Sequence, residues 1–422
     1  MKNINSILKE VLGRIKPSKE ELQTIDKSLQ DFIIRVQKNM KSQKINAEVF
    51  VGGSFAKDTM IRKGSYDIDI FIRFDKKHKD ISNLTKKLLR NMKNVSKIHG
   101  SRDYFRIKSS EDLFLEVVPV KKVNNPKEAE NITDLSYSHV KYIKKRVKSK
   151  KILDDILLAK AFCYGNDCYG AESHVSGFSG YALELLVYHY GGFLKFLRAM
   201  AKIKDKEVID IEKHHKTKQH VLMDINAAKL DSPIVLIDPT YKQRNALAAL
   251  SNKTFRKFQK TCSKFLKNST IKAFEIERID FKKIQANAKK KGYEFILVES
   301  KTNKQEGAIA GSKLLKFYNH LGNEIKKYFD VKDRDFEYNG KKSAKYYFVV
   351  KKKPELLIQG PMQSQKEHVK KFKKKYSRTF VKNKRIYTKQ KIKFPLKKFL
   401  EDWKKKHAQK IKDMAISELQ VF

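Results

Sequence analysis

Apolar residues in "PSKEELQTIDKSLQDFIIRVQKNM" recur at steps of three and four. Leu22, Ile25, Leu29, Phe32, Ile33 and Val36 therefore share one face of a helix. Pro17 and Ser18 open this helix, and Glu21, three positions after Ser18, completes a capping box. The chain then reaches "NAEVFVGGS", a short strand ending in glycines. In "YDIDIFIRF" the pattern switches to alternation, which puts Ile68, Ile70 and Ile72 on a core face and Asp67 and Asp69 on the opposite one. "FLEVVPV" reads as a further strand. Helix and strands in mixed order predict an α/β or α+β first domain, residues 1–137. Residues 138–255 are mainly helical in pattern, with Ile152, Ile156, Ala159 and Cys163 along one face. From 256 to 422, "YEFILVES", an amphipathic helix carrying Leu314, Tyr318, Leu321, Ile325 and Tyr328, and "KYYFVV" predict a small α+β domain followed by a lysine-rich tail.

Composition narrows the class. A chain of 422 residues with 40% hydrophobic and 11% aromatic content has enough apolar material for several cored domains. Its 94 basic residues against 47 acidic ones leave a formal charge of +47, which points to a polyanionic partner. Three cysteines, an odd number, argue against a disulfide framework. The opening "MKNINSILKEVLGRIKP" has no apolar core followed by a cleavage site, and no apolar run is long enough for a membrane span. The expectation is a cytoplasmic protein with no membrane partner.

The chemistry concentrates in "VGGSFAKDTMIRKGSYDIDIFIRF". Asp67 and Asp69 side by side on a strand repel each other, unless hard divalent cations turn that repulsion into coordination. Gly52, Gly53 and Ser54 form a turn expected to lead into a helix, and such a turn offers backbone N–H groups and a hydroxyl to phosphate oxygens. Phosphate on one side and metal on the other describe a nucleoside triphosphate site. Glu116 in "FLEVVPV" is the candidate third carboxylate. Cys163 and Cys168, with His174 nearby, have no matching second pair and are not read as a zinc site. His214, His215 and His220 in "EKHHKTKQH" are read as a solvated segment.

A Gly-Ser turn, a short helix and D-x-D on a strand resemble the signature of the polymerase-β-like nucleotidyltransferases. Three more stretches are similar to archaeal, class I, CCA-adding tRNA nucleotidyltransferases: "LLAKAFCYGNDCYGAESHVSGFSGYALELLVYHYGGF", "IDPTYKQRNALAALS" and "GPMQSQKEHVKKFKKKY". The resemblance implies an α+β multidomain fold: a catalytic head with a mixed sheet (1–137), a helical neck that recognises the nucleotide (138–255), and an RNA-binding body and basic tail (256–422).

The resemblance also implies catalytic and metal-ligating roles for Asp67, Asp69 and Glu116, the last standing where an aspartate is usual. It implies nucleotide contacts from Gly53, Ser54, Lys57, His139, Lys160, Tyr169 and Arg244, with Lys57 replacing the usual arginine. Two Mg²⁺ ions, ATP and CTP as substrates, the acceptor stem and elbow of tRNA as partner, and a homodimer follow from the same likeness. Phe372, Tyr376, Phe380 and Tyr387 lie among the tail lysines, either as stacking surfaces for RNA or as the buried stripe of a helix. Two other functions fit parts of the pattern: a poly(A) or oligoadenylate polymerase of the same superfamily, and an inactive RNA-binding protein on a decayed transferase fold.

Overall fold

Strand pairing in the first part of the chain follows the alternation just described. A computed structural model describes residues 4–422, which separate into two compact units, up to Glu277 and from Arg278 onward. The first unit begins with helices α1 (Ile4–Ile15) and α2 (Lys19–Ser42) and strands β1 (Ala47–Val51) and β2 (Tyr66–Phe74). Helix α3 (Ile81–Leu88) and strands β3 (Val95–Ile98), β4 (Tyr104–Lys108) and β5 (Leu113–Lys121) follow. The five strands form one mixed sheet in the order β1-β2-β5-β4-β3, in which only β2 and β5 run parallel.

Ile68, Ile70 and Ile72 on β2 are fully buried, and they pack in one cluster with Ile25, Leu29, Phe32 and Val36 of α2. The capping box forms as read, with the Glu21 amide donating to Ser18 Oγ and the Ser18 amide to Glu21 Oε2. Leu22 departs from the expected stripe. It is 38% exposed, because the apolar face of α2 meets the sheet only from Ile25 onward.

The rest of the first unit is α4 (Ser136–Arg146), α5 (Lys150–Gly165), α6 (Gly180–Tyr190), α7 (Phe193–Lys202), β6 (Glu207–Ile209), α8 (Lys218–Asp224), β7 (Ile234–Asp238), β8 (Tyr241–Asn245) and α9 (Asn252–Lys267). The helical reading of this region thus gains a small sheet, β6-β7-β8. Ile156, Ala159 and Cys163 are buried as expected, in a core with Phe193, Phe196 and Leu197 of α7. Phe258, Cys262 and Phe265 of α9 join that core, so the compact unit runs past 255 to 277. Cys163, Cys168 and Cys262 are all free and buried.

The second unit comprises α10 (Phe281–Lys290), β9 (Glu294–Lys301), α11 (Ala308–Tyr328), β10 (Phe329–Tyr338), β11 (Ser343–Lys352), β12 (Glu355–Met362), α12 (Lys366–Lys375), β13 (Thr379–Lys382), β14 (Arg385–Lys391), α13 (Leu396–Lys406), α14 (Ala408–Asp413) and β15 (Glu418–Val421). An antiparallel sheet β10-β11-β9-β15 buries Leu314, Tyr318, Leu321 and Ile325 of α11. A second sheet, β12-β14-β13, carries Phe380 and Tyr387, while Phe372 lies on α12 and Tyr376 directly follows it. Phe380 and Tyr387 stack at 5.9 Å with Phe380 39% exposed, and Phe372 and Tyr376 meet at 4.8 Å without being fully buried. No residue of α12 is buried, which removes the reading of these aromatics as one buried helical stripe. No helix among the described residues is long and apolar enough to cross a membrane.

Candidate active site

The parallel pairing of β2 with β5 sets Asp69 opposite Glu116, with Asp67 two residues earlier on the same face of β2. Asp67 is exposed, whereas Asp69 and Glu116 are half-buried. Burial raises the Glu116 carboxyl to about 8, the charges of Asp67 and Asp69 adding to the shift and Arg106 opposing it. Burial likewise raises Asp69 to about 6, with Asp67 adding and Lys57 opposing. Three carboxylates on neighbouring positions of one sheet face form an all-oxygen donor set suited to a hard divalent cation. Asp67, Asp69 and Glu116 thus fit such an ion by charge and donor type. Among the described residues, however, no three His, Cys, Asp or Glu side chains are drawn together into a ready metal cage.

Beside Asp69 lies the glycine turn. The Gly52 amide donates to the Asp69 carbonyl at 2.8 Å, which ties the end of β1 to the D-x-D strand. Gly53 has φ +59°, and a Cβ added there would stand 1.7 Å from Asp69 Oδ2. Both the backbone conformation and the space require glycine. Gly53→Ala is therefore expected to cost about 1–3 kcal/mol and to push the Asp69 carboxylate aside. A urea unfolding curve reads that loss, and an unchanged midpoint would contradict this account of the turn.

No helix follows the glycines. Residues 53–58 form turns closed by Ala56 N–H to Gly52 O and Thr59 N–H to Ser54 O, and Asp58 at φ +55° ends the coil before a helix can propagate. This corrects the expected strand–turn–helix order while leaving Ser54 within the turn.

The turn is braced from below by a side chain that the sequence reading passed over. Glu184 of α6 is fully buried and accepts from Lys57 Nζ at 2.6 Å, from Lys160 Nζ at 2.8 Å and from Thr59 Oγ1 at 2.8 Å. Lys160 also donates to the Thr59 carbonyl and hydroxyl, each at 2.9 Å. Its ammonium has three donors and all are engaged, leaving none for a phosphate in this arrangement. Burial alone would raise the Glu184 carboxyl, but the charges and hydrogen bonds of Lys160 and Lys57 outweigh it and hold the group down at about 2. The one available signal was a lone acid in the apolar run "YALELLVYHY" of α6.

A second hub gathers the base-reading candidates. Asp238, at the end of β7, accepts from Arg244 Nη1 at 2.6 Å and from the Tyr181 hydroxyl at 3.1 Å, and lies 3.0 Å from His139 Nε2. The His139 ring stacks on Tyr181 at 4.1 Å. Burial opposes ionisation of Asp238, but the hydrogen bond and charge of His139 and the charge of Arg244 hold its carboxyl well below the ordinary range. Lys57 Nζ stands over the Tyr181 ring, 5.9 Å from its centroid, so the hub adjoins the glycine turn. Tyr169 is half-buried against Gly180, where a Cβ would stand 2.8 Å from its hydroxyl, and Lys63 Nζ lies 5.7 Å over its ring. Gly53 thus lies against Asp69 with Ser54 next in the turn, Lys57 and Lys160 meet on Glu184, His139 and Arg244 meet on Asp238, and Tyr169 packs on Gly180. Asp238 opens the "DPTYKQRN" motif and was missed as the member that holds the others together.

His215 departs from the solvated segment expected for it. Its side chain is buried, with Nδ1 3.0 Å from Asp210 and Nε2 3.1 Å from Asp224.

Comparison with known proteins agrees with this geometry. Residues 33–154 match the nucleotidyltransferase domain family, and residues 154–275 match the family described as tRNA nucleotidyltransferase, second domain. The CCA-adding enzyme of Methanococcus maripaludis is 31% identical over 357 residues, covering 79% of this chain and 74% of that enzyme. This chain belongs to the CCA-adding enzyme family. The CCA-adding enzyme of Nanoarchaeum equitans is 40% identical over 269 residues, and the match spans 63% of this chain and 65% of that relative, just under two thirds. That of Methanocaldococcus jannaschii is 29% identical over 406 residues, covering 91% and 87%.

Among solved structures, a cytoplasmic RNA terminal U-transferase matches with TM-score 0.52 and 14% identity over 66% of this chain and 100% of its own. The Cid1 poly(U) polymerase with Mg and 3'-dATP bound matches with TM-score 0.51 and 13% identity over 65% of this chain and 99% of its own. These establish the fold of a polymerase-β-like nucleotidyltransferase. Divalent metal use is general in this nucleotidyltransferase family.

Proposed function

We propose that this chain adds C, C and A to the 3' end of tRNA, without a template, from CTP and ATP with release of pyrophosphate. The observation that carries the reading is the carboxylate set on β2 and β5 facing the glycine turn. It stands in a chain of the CCA-adding family.

In this reading Asp67, Asp69 and Glu116 would hold two Mg²⁺ ions, which would supply Lewis acidity toward the tRNA 3'-hydroxyl and charge neutralisation for the departing pyrophosphate. The protein's own part is positioning. Ser54 and the amides of the Gly53 turn hold the triphosphate. Lys57 and Lys160, tied to Glu184, keep that turn in place and add positive potential from beneath. His139, Tyr169 and Arg244 contact the nucleotide, and Asp238 orients the Arg244 fork toward the acceptor edges shared by C and A.

The body and tail take the acceptor stem and elbow of tRNA. Half-exposed Phe372, Tyr376 and Tyr387 and exposed Phe380, set among lysines, support that placement. The working division is head 1–137, neck from 138 through α9 to the end of the first compact unit at Glu277, and body and tail from Arg278 onward, in a cytoplasmic homodimer.

The test is direct. Purified protein with Mg²⁺ and a tRNA transcript lacking its last three nucleotides receives CTP, ATP or both, and product length is read at single-nucleotide resolution. Two additions from CTP and a third only with ATP are expected. Long adenylate tails from ATP alone would favour a poly(A) polymerase instead, and no extension would point to an RNA-binding protein without activity.

A further inference from the structure

The carboxylate set carries a cation of its own. Arg106 on β4 lies opposite Glu116 in the sheet, and its Nη2 donates to Asp67 Oδ1 at 2.8 Å while Nε stands 3.7 Å from Glu116 Oε1. Its guanidinium rests 3.9 Å over the ring of Phe114, the residue paired with Asp67 across β2 and β5.

This is a loose bridge. Arg102, four residues earlier in the loop before β4, closes both terminal nitrogens on Asp134 and is 12% exposed, as a structural arginine–carboxylate fork does. Arg106 makes a single carboxylate hydrogen bond, is 36% exposed, and its buried Nε has no hydrogen-bond partner. Its stacking on Phe114 anchors the planar group independently of Asp67, so the hydrogen bond can be given up without loss of the side chain's seat.

We propose that Arg106 is the stand-in cation of the metal-free site. It occupies the Asp67 oxygen, competes with a divalent ion for it, and yields it when the ion binds while remaining stacked on Phe114. As a positioning residue, Arg106 keeps the carboxylates from splaying apart and weakens metal binding enough to permit exchange. The inference rests on the carboxylate assignment proposed above.

The test uses the full chain with neither nucleotide nor tRNA, titrated with Mn²⁺ and followed by the electron paramagnetic resonance of the free ion. Arg106→Met keeps an apolar stem over Phe114 and removes the charge; it is expected to bind Mn²⁺ roughly tenfold more tightly, a figure already reduced for solvent screening. Arg106→Lys keeps the charge and is expected to stay within about threefold of the parent. In an Asp67→Asn background the gain from Arg106→Met should vanish.

Equal or weaker Mn²⁺ binding by folded Arg106→Met would overturn the proposal, as would a gain that persists without Asp67. In the unaltered protein the Arg106 Nε–H resonance, assigned by its loss in Arg106→Lys, should shift on addition of Mg²⁺; no shift at saturation also overturns it. These measurements involve no tRNA, so failure of CCA addition would leave them standing. An unchanged Mn²⁺ affinity would likewise leave CCA addition untouched.

Discussion

Asp69→Asn will lower nucleotide addition by about a thousandfold or more, some 4 kcal/mol of transition-state stabilisation, while tRNA affinity stays within about twofold. The same substitution will raise the melting temperature of the metal-free protein. Both signs come from one environment. The Asp69 carboxylate sits under the Gly53 turn, opposite Glu116 and on the same strand face as Asp67, and its folded-state value lies near 6, above the ordinary 3.8. A carboxyl raised in this way costs the folded state nothing below the unfolded value, and its full penalty once the pH exceeds the folded value. At pH 7.5 in chelator, neutralising the group removes that penalty. Turnover by quench-flow, tRNA affinity by filter binding and melting by calorimetry read the three quantities. Near-normal turnover with collapsed tRNA affinity would remove Asp69 from the chemistry, and a lower melting temperature would show that burial of the ionised carboxyl is not the dominant local effect.

Glu184→Gln carries the second large effect, of the opposite kind. Two buried ammonium groups, Lys57 and Lys160, lose the carboxylate to which both are hydrogen-bonded, and breaking a buried ion set from one side costs about 3–5 kcal/mol. For a unit of this size that corresponds to a fall in melting temperature of about 10 °C. Because Thr59 and Lys57 flank the end of the glycine turn, the variant should also raise the KM for nucleotide more than it lowers kcat. Replacing all three members together, as Lys57→Met, Lys160→Met and Glu184→Leu, should recover much of the stability but not the KM, since the apolar set fills the space without pinning Thr59. A Glu184→Gln protein that melts within about 2 °C of the parent would show that water or a rearranged lysine compensates the charges.

Much of the site was legible because it is written in local periodicity. Alternation alone put Asp67 and Asp69 on one face of β2, and a single acid in "FLEVVPV" supplied Glu116. The helix read after Gly-Gly-Ser was not legible. Its residues permit a helix, and what stops it is the pairing of Gly52 with Asp69 and the left-handed backbone at Asp58. Lys57 and Lys160 were read as nucleotide contacts from the family resemblance, and the resemblance gave no sign that both are held by Glu184, 127 and 24 residues away in the chain. Arg106 had no motif to announce it.

Residue order and residue type were enough to place most of the elements, the acidic strand face and the family likeness, and to point to a polyanionic partner class, since each depends on spacing within a few residues or on summed charge. Contacts across the chain settled the rest. The registry of β2 against β5 decides that Asp69 meets Glu116, the approach of α6 to the glycine turn decides that Glu184 takes both lysines, and β4 decides that a guanidinium rests on Asp67. The physical reason is common to all three. Burial and opposing charge act over a few ångströms in space, and the distance along the chain between the partners carries no trace of it.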